Sequence, residues 1–166
     1  MFDMFHTKAL GAYCRLIDAA DMPFLASVYA STRAEELSRT GWPAAVIDQF
    51  LAQQFSAQHR HYIVSYPRVE MMVIVRSGKN VGRLTINETD DAVGLVDVAL
   101  LPRERGRGTG SAILSDIMAY AAIVQKPVVL HVEQHNSAMR LYRRAGFVTV
   151  EEGPVYDRME WTPAVQ

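Results

Sequence analysis

The sequence predicts a mixed α/β domain, with helices packed on a central and largely antiparallel sheet, and three observations predict it. Three strand-like runs follow one another between residues 69 and 101, separated by short polar turns. An amphipathic helical run then lies between two apolar strand-like segments, the pattern of a crossover that joins parallel neighbours. Two more strand-like runs close the chain as a hairpin. At 166 residues the chain can bury one sizeable core but is too short for two ordinary domains, so a single domain over residues 1–166 is expected.

Residues 12–17 are short and apolar-biased and read as a strand. Asp18 and Asp21 supply helix-capping side chains ahead of an amphipathic run through Tyr29. Trp42-Pro43 opens a second helical run in which Ile47, Phe50, Leu51, Phe55, Tyr62 and Tyr66 recur at helical spacing, with Pro67 as its outer limit. Residues 71–75, 81–86 and 93–101 follow as a meander, with turns at 77–80 and 87–91. In residues 111–124, Ile113, Leu114, Ile117, Met118, Ala121 and Ala122 share one helical face, and Pro127 ends the run before the β-rich 128–132. Residues 137–144 form a short helix closed by Gly146, and 147–150 pairs with 155–161.

Hydrophobic residues make up 49% and charged residues 21%, the balance of a chain that folds unaided. A formal net charge of -1 argues against a nucleic-acid partner bound by bulk electrostatics. The single cysteine, Cys14, has no disulfide or metal-binding Cys partner and reads as a small buried hydrophobe in a reducing compartment. No apolar stretch approaches the ~18 to 20 residues of a membrane span, and residues 1–10 lack the basic-then-apolar design of a signal peptide. A cytoplasmic location without a membrane partner is the expectation.

The chemistry concentrates in Pro102-Arg103-Glu104-Arg105-Gly106-Arg107-Gly108-Thr109-Gly110, between a hydrophobic strand and an amphipathic helix. A helix start exposes unpaired N–H groups and the positive end of the macrodipole, so it suits a phosphate. Gly108 and Gly110 permit close approach, Arg105 and Arg107 add charge, and Ser111 adds a hydroxyl. The alternative is a tight strand-to-helix turn with solvated arginines. A P-loop would need Gly-Lys-Ser/Thr, which is missing. A dinucleotide fold would need Gly-x-Gly-x-x-Gly with a downstream acid, and Gly106-x-Gly108 runs instead to Ser111 and a mainly apolar helix.

In this loop the sequence resembles the GCN5-related N-acetyltransferases, whose acyl-CoA loop reads Gln/Arg-x-x-Gly-x-Gly/Ala, here Arg105, Gly108 and Gly110. Asn136-Ser137-Ala138-Met139-Arg140-Leu141-Tyr142-Arg143-Arg144-Ala145-Gly146-Phe147 is similar to a second motif of that family. Asn136 precedes Tyr142 by one residue fewer than the family spacing, which leaves His135 as an alternative occupant. The resemblance covers nearly the whole chain and implies a parallel strand pair splayed around acetyl-CoA. It implies that the backbone of Val98, Ala99 and Leu100 meets the pantetheine and acetyl carbonyl, with Asn136 beside them. It also implies that Arg105, Gly106, Arg107, Gly108, Thr109, Gly110 and Ser111 hold the pyrophosphate.

Acyl transfer to an amine needs a neutral amine, a stabilised oxyanion and a protonated thiolate. The amine's proton needs a base, because a lysine-like amine is mostly charged at neutral pH. Asp97, Glu88, His131 and Glu133 are the candidates, each also readable as a structural residue. Alternation places His131 and Glu133 on one face of their strand and Leu130 and Val132 on the other. The family motif implies that Tyr142 protonates the thiolate and touches CoA; the same phenol also suits a helix-closing packing role. A bulge or splay near residues 99–101 would expose the backbone N–H that meets the oxyanion.

In this family the segment between the first two helices often lines the acceptor pocket. Here it is residues 32–43, with Arg33, Glu36 and Trp42 as candidate contacts and Glu88 as a further one. His59 and His61 lack the companions of a metal site, so no metal is expected. The implied function is transfer from acetyl-CoA to a primary amine of a small molecule or peptide by direct attack in a ternary complex. A longer acyl donor, or a non-catalytic acyl-CoA sensor, is the alternative, and a homodimer is a possible assembly.

Overall fold

The computed structural model describes residues 6, 7 and 10–165. Most of the stretch 1–10, where no targeting signal is expected, therefore lies outside the described residues. Among the described residues there are fourteen elements, two of them single 3-10 turns. The strands are β1 (His6–Thr7), β2 (Ala12–Leu16), β3 (Val69–Arg76), β4 (Lys79–Glu88), β5 (Val93–Leu100), β6 (Val128–Glu133), β7 (Val148–Glu152) and β8 (Tyr156–Trp161). The helices are α1 (Met22–Ser38), α2 (Ala44–Ser65), α3 (Thr109–Val124) and α4 (Ala138–Ala145).

The strands form one sheet in the order β1-β2-β3-β4-β5-β6-β8-β7. All neighbours are antiparallel except β5 and β6, which α3 connects as a crossover, as the sequence predicts. Period-two alternation sends each strand's apolar residues to two faces, so two cores form. Met72, Ile74, Leu84, Val93, Leu95, Leu130 and Met159 pack under α3 and α4. Val73 and Val75 pack with Leu25 and Tyr29 of α1 and Phe55 of α2 on the other face. Cys14 is buried in the first core, where burial and then Asp116 push its thiol up to about 12.

Local chemistry explains the element ends. Asp18 accepts from Ala20 N–H at 2.8 Å, while Asp21 accepts from Asp18 N–H at 2.9 Å, a reciprocal cap on the 3-10 turn that leads into α1. Arg15 of β2 donates twice to the same Asp21 carboxylate, at 2.7 and 2.8 Å, and so ties the strand to the helix start. Gly146 closes α4 at φ 99, where a left-handed residue is needed and glycine carries no Cβ penalty.

One expected boundary is corrected. Helix α1 does not end near Tyr29 but runs to Ser38, so residues 32–38 are helical and only 39–43 connect the two helices. Ala34, Glu35, Glu36 and Leu37 are good helix formers, and Leu37 is 3% exposed, which supplies an anchor for the extra turns.

Candidate active site

The site begins with one extra residue in β5. Thr85 pairs with Asp97 and Ile86 with Leu95, so Val96 has no counterpart on β4. Because Thr85 and Ile86 face opposite ways, Leu95 and Asp97 do too, although two residues of a regular strand would share a face. Leu95 stays in the core under α3, and Asp97 turns to the face of α1 and α2. The bulge thus lies at Val96, ahead of the expected 99–101, while Val98 and Leu100 pack against the α3-side core and the parting from β6 includes Ala99 and Leu100.

Pairing between β5 and β6 covers only Val93 with Val128, Gly94 with Val129 and Leu95 with Leu130. Beyond that point β5 still follows β4 as far as Leu100, and β6 follows β8 as far as Glu133, but the two part from each other. A cleft of about 640 Å³ opens at the parting. Asp97, Val98 and Ala99 line one wall, His131 and Glu133 the other, with Asn136 just ahead of α4, Tyr142 within it, and Arg33 and Glu36 from α1. Alternation on β6 is as expected: Leu130 and Val132 are buried, His131 and Glu133 exposed.

Sequence reasoning did not single out Arg83, Tyr62 or Tyr29, which complete the cleft. Arg83 Nε lies 2.6 Å from Asp97 Oδ2, and its guanidinium carbon is 5.6 Å from the centre of the Tyr29 ring. The available signal was a lone arginine inside the otherwise uncharged run Val81-Gly82-Arg83-Leu84-Thr85-Ile86. Desolvation raises the Asp97 pKa above its ordinary 3.8 and outweighs the opposing pull of Arg83. Burial, and then the charge of Asp97, pushes Tyr142 up to about 12 and also raises Tyr62. Arg33 is held on both sides, by Glu36 at 2.8 Å and by the Tyr29 hydroxyl at 2.8 Å.

The glycine-rich loop leads from the end of β5 into α3. Arg105 donates to the Leu100 carbonyl at 3.1 Å, and Arg107 lies 3.6 Å from Glu104. Gly106 and Gly108 have φ of 71 and 81, and Gly108 is the N-cap of α3. Ala112 N–H bonds to the Gly108 carbonyl at 3.0 Å, so the amides of Thr109, Gly110 and Ser111 belong to the turn whose N–H groups lack intrahelical acceptors. Thr109 is fully buried, and its hydroxyl accepts from Arg76 at 2.8 Å. Ser111 is exposed, while Asn136 Oδ1, one residue ahead of the Ser137 N-cap of α4, accepts from Ala138 N–H at 2.8 Å.

Two candidates lie elsewhere. Glu88, at the far end of β4, accepts from Tyr120 at 2.5 Å and Lys126 at 2.6 Å, and it does not line the cleft. Trp42 is 44% exposed and packs edge-on against Phe50 at 5.5 Å; Arg33 sits 5.7 Å over the same Phe50 ring, so Trp42 meets the cleft only through that stack.

Two parallel strands that part beside a glycine-rich helix start define an acyl-CoA-dependent acyltransferase architecture. The acetyltransferase (GNAT) domain model matches residues 67–149, half of the chain, and the chain belongs to that family of acyl-CoA-dependent N-acetyltransferases. Comparison with curated proteins finds no match. Among solved structures, the chain is similar to the PaiA N-acetyltransferase of Thermoplasma acidophilum in complex with coenzyme A. That likeness has a TM-score of 0.66 at 15% identity over 91% of this chain and 98% of that one. It is also similar to an acetyltransferase of Thermus thermophilus, with a TM-score of 0.68 at 18% identity over 92% and 97% of the two chains. A Corynebacterium glutamicum protein described as histone acetyltransferase HPA2 and related acetyltransferase gives 0.68 at 21% identity over 94% and 98%.

Proposed function

We propose that the protein, working as one domain, transfers the acetyl group of acetyl-CoA to a primary amine of a small molecule or peptide, by direct attack with both substrates bound. The observation that carries this reading is the cleft itself. Asp97, half-buried and with a raised pKa, and Tyr142, held protonated, line the same opening between β5 and β6.

Acetyl-CoA supplies the activated acetyl group as a thioester. Its seat is supported by the strand edges that part after Leu95 and Leu130, which offer the backbone groups of Val98, Ala99 and Leu100, and by the left-handed Gly108 ahead of the Thr109–Ser111 amides. Asp97 takes the proton of the acceptor ammonium, directly or through a water; its raised pKa makes it a better base than an exposed aspartate. Tyr142 donates its phenolic proton to the departing thiolate. A backbone N–H at the Val96 bulge meets the developing oxyanion. Arg33, Glu36, His131 and Glu133 then belong to the acceptor side.

The test is release of free thiol from acetyl-CoA across a panel of amines, amino acids and peptides. Turnover with at least one amine class, accompanied by the acetylated product, is expected. Tight CoA binding without thiol release on any acceptor would overturn the reading in favour of a sensor.

A further inference from the structure

A second cavity of about 550 Å³ adjoins the cleft on the same face of the sheet, towards the carboxyl-terminal end of α2. Tyr62, Leu95, Val96, His131 and Tyr156 line both, so the two form one groove. Along β5 the groove runs from Ala99 back to Gly94, and across the sheet it reaches Arg158, which stands beside His131, the residue after the Leu95–Leu130 pair, and so lies two strand spacings from β5, about 10 Å at ~4.8 Å each. The reach is too long for an amine head group alone.

The lining chemistry differs between the halves. The cleft beside Asp97 carries Glu36 and Glu133 as well as arginines. Among the described residues that line the distal half there is no carboxylate, and Arg158 is its arginine. Arg158 stands beside His131 in the β6–β8 register, which turns it to the same face. Its ion pair among the described residues, to Glu160 at 3.4 Å, occupies little of a guanidinium with five donors. The opposite wall is aromatic: Tyr66 meets His61 edge-on at 6.3 Å and Tyr62 at 6.1 Å. An aromatic wall beside an arginine fork suits an apolar spacer that ends in an anion.

Resting on the acetyltransferase reading above, we infer that the acceptor is an amine carrying an anionic group about 10 Å away, whose spacer lies on His61, Tyr62 and Tyr66 and whose anion is held by Arg158. The anion is a carboxylate or a phosphate. An extended tripeptide has this span, from its amino group to its terminal carboxylate.

The experiment measures binding to the CoA-loaded protein of a tripeptide with a free carboxyl terminus, its carboxamide, and an aminoalkyl phosphate of the same span. A charge-assisted bond predicts that an anionic probe binds about ten- to a hundredfold tighter than the carboxamide, with the tighter of the two naming the anion. Arg158→Gln should remove the difference and Arg158→Lys should keep part of it, with the affinity for CoA unchanged in both. Equal affinity of all three probes for the unmodified protein, or a preference that survives Arg158→Gln, would overturn the inference. Anion-dependent binding without thiol release would overturn the transferase reading and leave this subsite standing. Turnover indifferent to the anion would do the reverse.

Discussion

Arg83 and Asp97 sit diagonally across the β4–β5 ladder, 2.6 Å apart, and the Val96 bulge is what brings them to one face. Arg83 stands opposite Ala99 and Asp97 opposite Thr85, so the two reach each other across one diagonal step. The pair is close but poorly aligned: neither Arg83 Nε nor Asp97 Oδ2 makes a hydrogen bond of good geometry. Desolvation therefore prevails at Asp97, and its proton is held more tightly than an exposed aspartate would hold it.

The pH dependence follows from that sign. Protonated Asp97 is favoured by the fold, so its contribution to stability is fully present below the unfolded value near 3.8 and lost as pH rises through the raised folded value. Activity runs the other way, since the base must be ionised. The acid limb of kcat/KM is expected above the ordinary aspartate range. Arg83→Gln, by removing the charge that restrains the shift, should move that limb to still higher pH. A limb unmoved in Arg83→Gln would assign it to another group.

Tyr142 is pushed up to about 12, so it remains a proton donor throughout the neutral range. Tyr142→Phe keeps the ring that packs 5.8 Å from Phe147 and removes only the donor. A fall in kcat of about 10²-fold is expected, with a much smaller change in the KM for acetyl-CoA, because the proton is needed in the transition state. Single-turnover kinetics with an unaltered rate would remove Tyr142 from the mechanism.

Two glycines separate packing from ligand binding. A Cβ at Gly82 would lie 2.3 Å from the Ala99 carbonyl oxygen, so Gly82→Ala must displace the β5 segment proposed to meet acetyl-CoA. It should lower stability by about 1–3 kcal/mol in urea unfolding and raise the KM for acetyl-CoA. A Cβ at Gly108 meets nothing closer than 4.0 Å, so Gly108→Ala should cost only about 1–2 kcal/mol for its left-handed backbone. Gly108→Glu adds bulk and charge at the proposed pyrophosphate seat and should abolish CoA binding in a folded protein, as read by calorimetry.

Arg15 and the Asp18 amide hold the Asp21 carboxyl down at about 2. A depressed carboxyl contributes stability that is present above its unfolded value near 3.8 and lost as pH falls through about 2. Asp21→Asn should lower stability by about 1–3 kcal/mol at pH 7. The gap between the two urea curves should close as the pH approaches 2, and a gap constant with pH would mean that the charge is not what Arg15 recognises.

The sequence by itself determined the order of elements, the crossover between β5 and β6, the glycine-rich start of α3 and the inward face of β6, because each is written in local periodicity or in a residue with one conformational use. Alternation placed His131 and Glu133 on one face, Asp97 was nameable from its place on a central strand, and Tyr142 from the motif whose resemblance to the family implied its role. Even the bulge left a trace: the residues of β5 that reach the α3-side core are 93 and 95, then 98 and 100, a slip in the period of two. Only the tertiary structure decided that this slip turns Asp97 onto Arg83, that α1 carries Arg33 and Glu36 on a continued helix, and that Glu88 serves Tyr120 and Lys126 at the other end of the sheet. Those outcomes depend on which partner a side chain meets across tens of residues of chain. Burial and desolvation then set the charge of Asp97, and neither is a property of its neighbours in sequence.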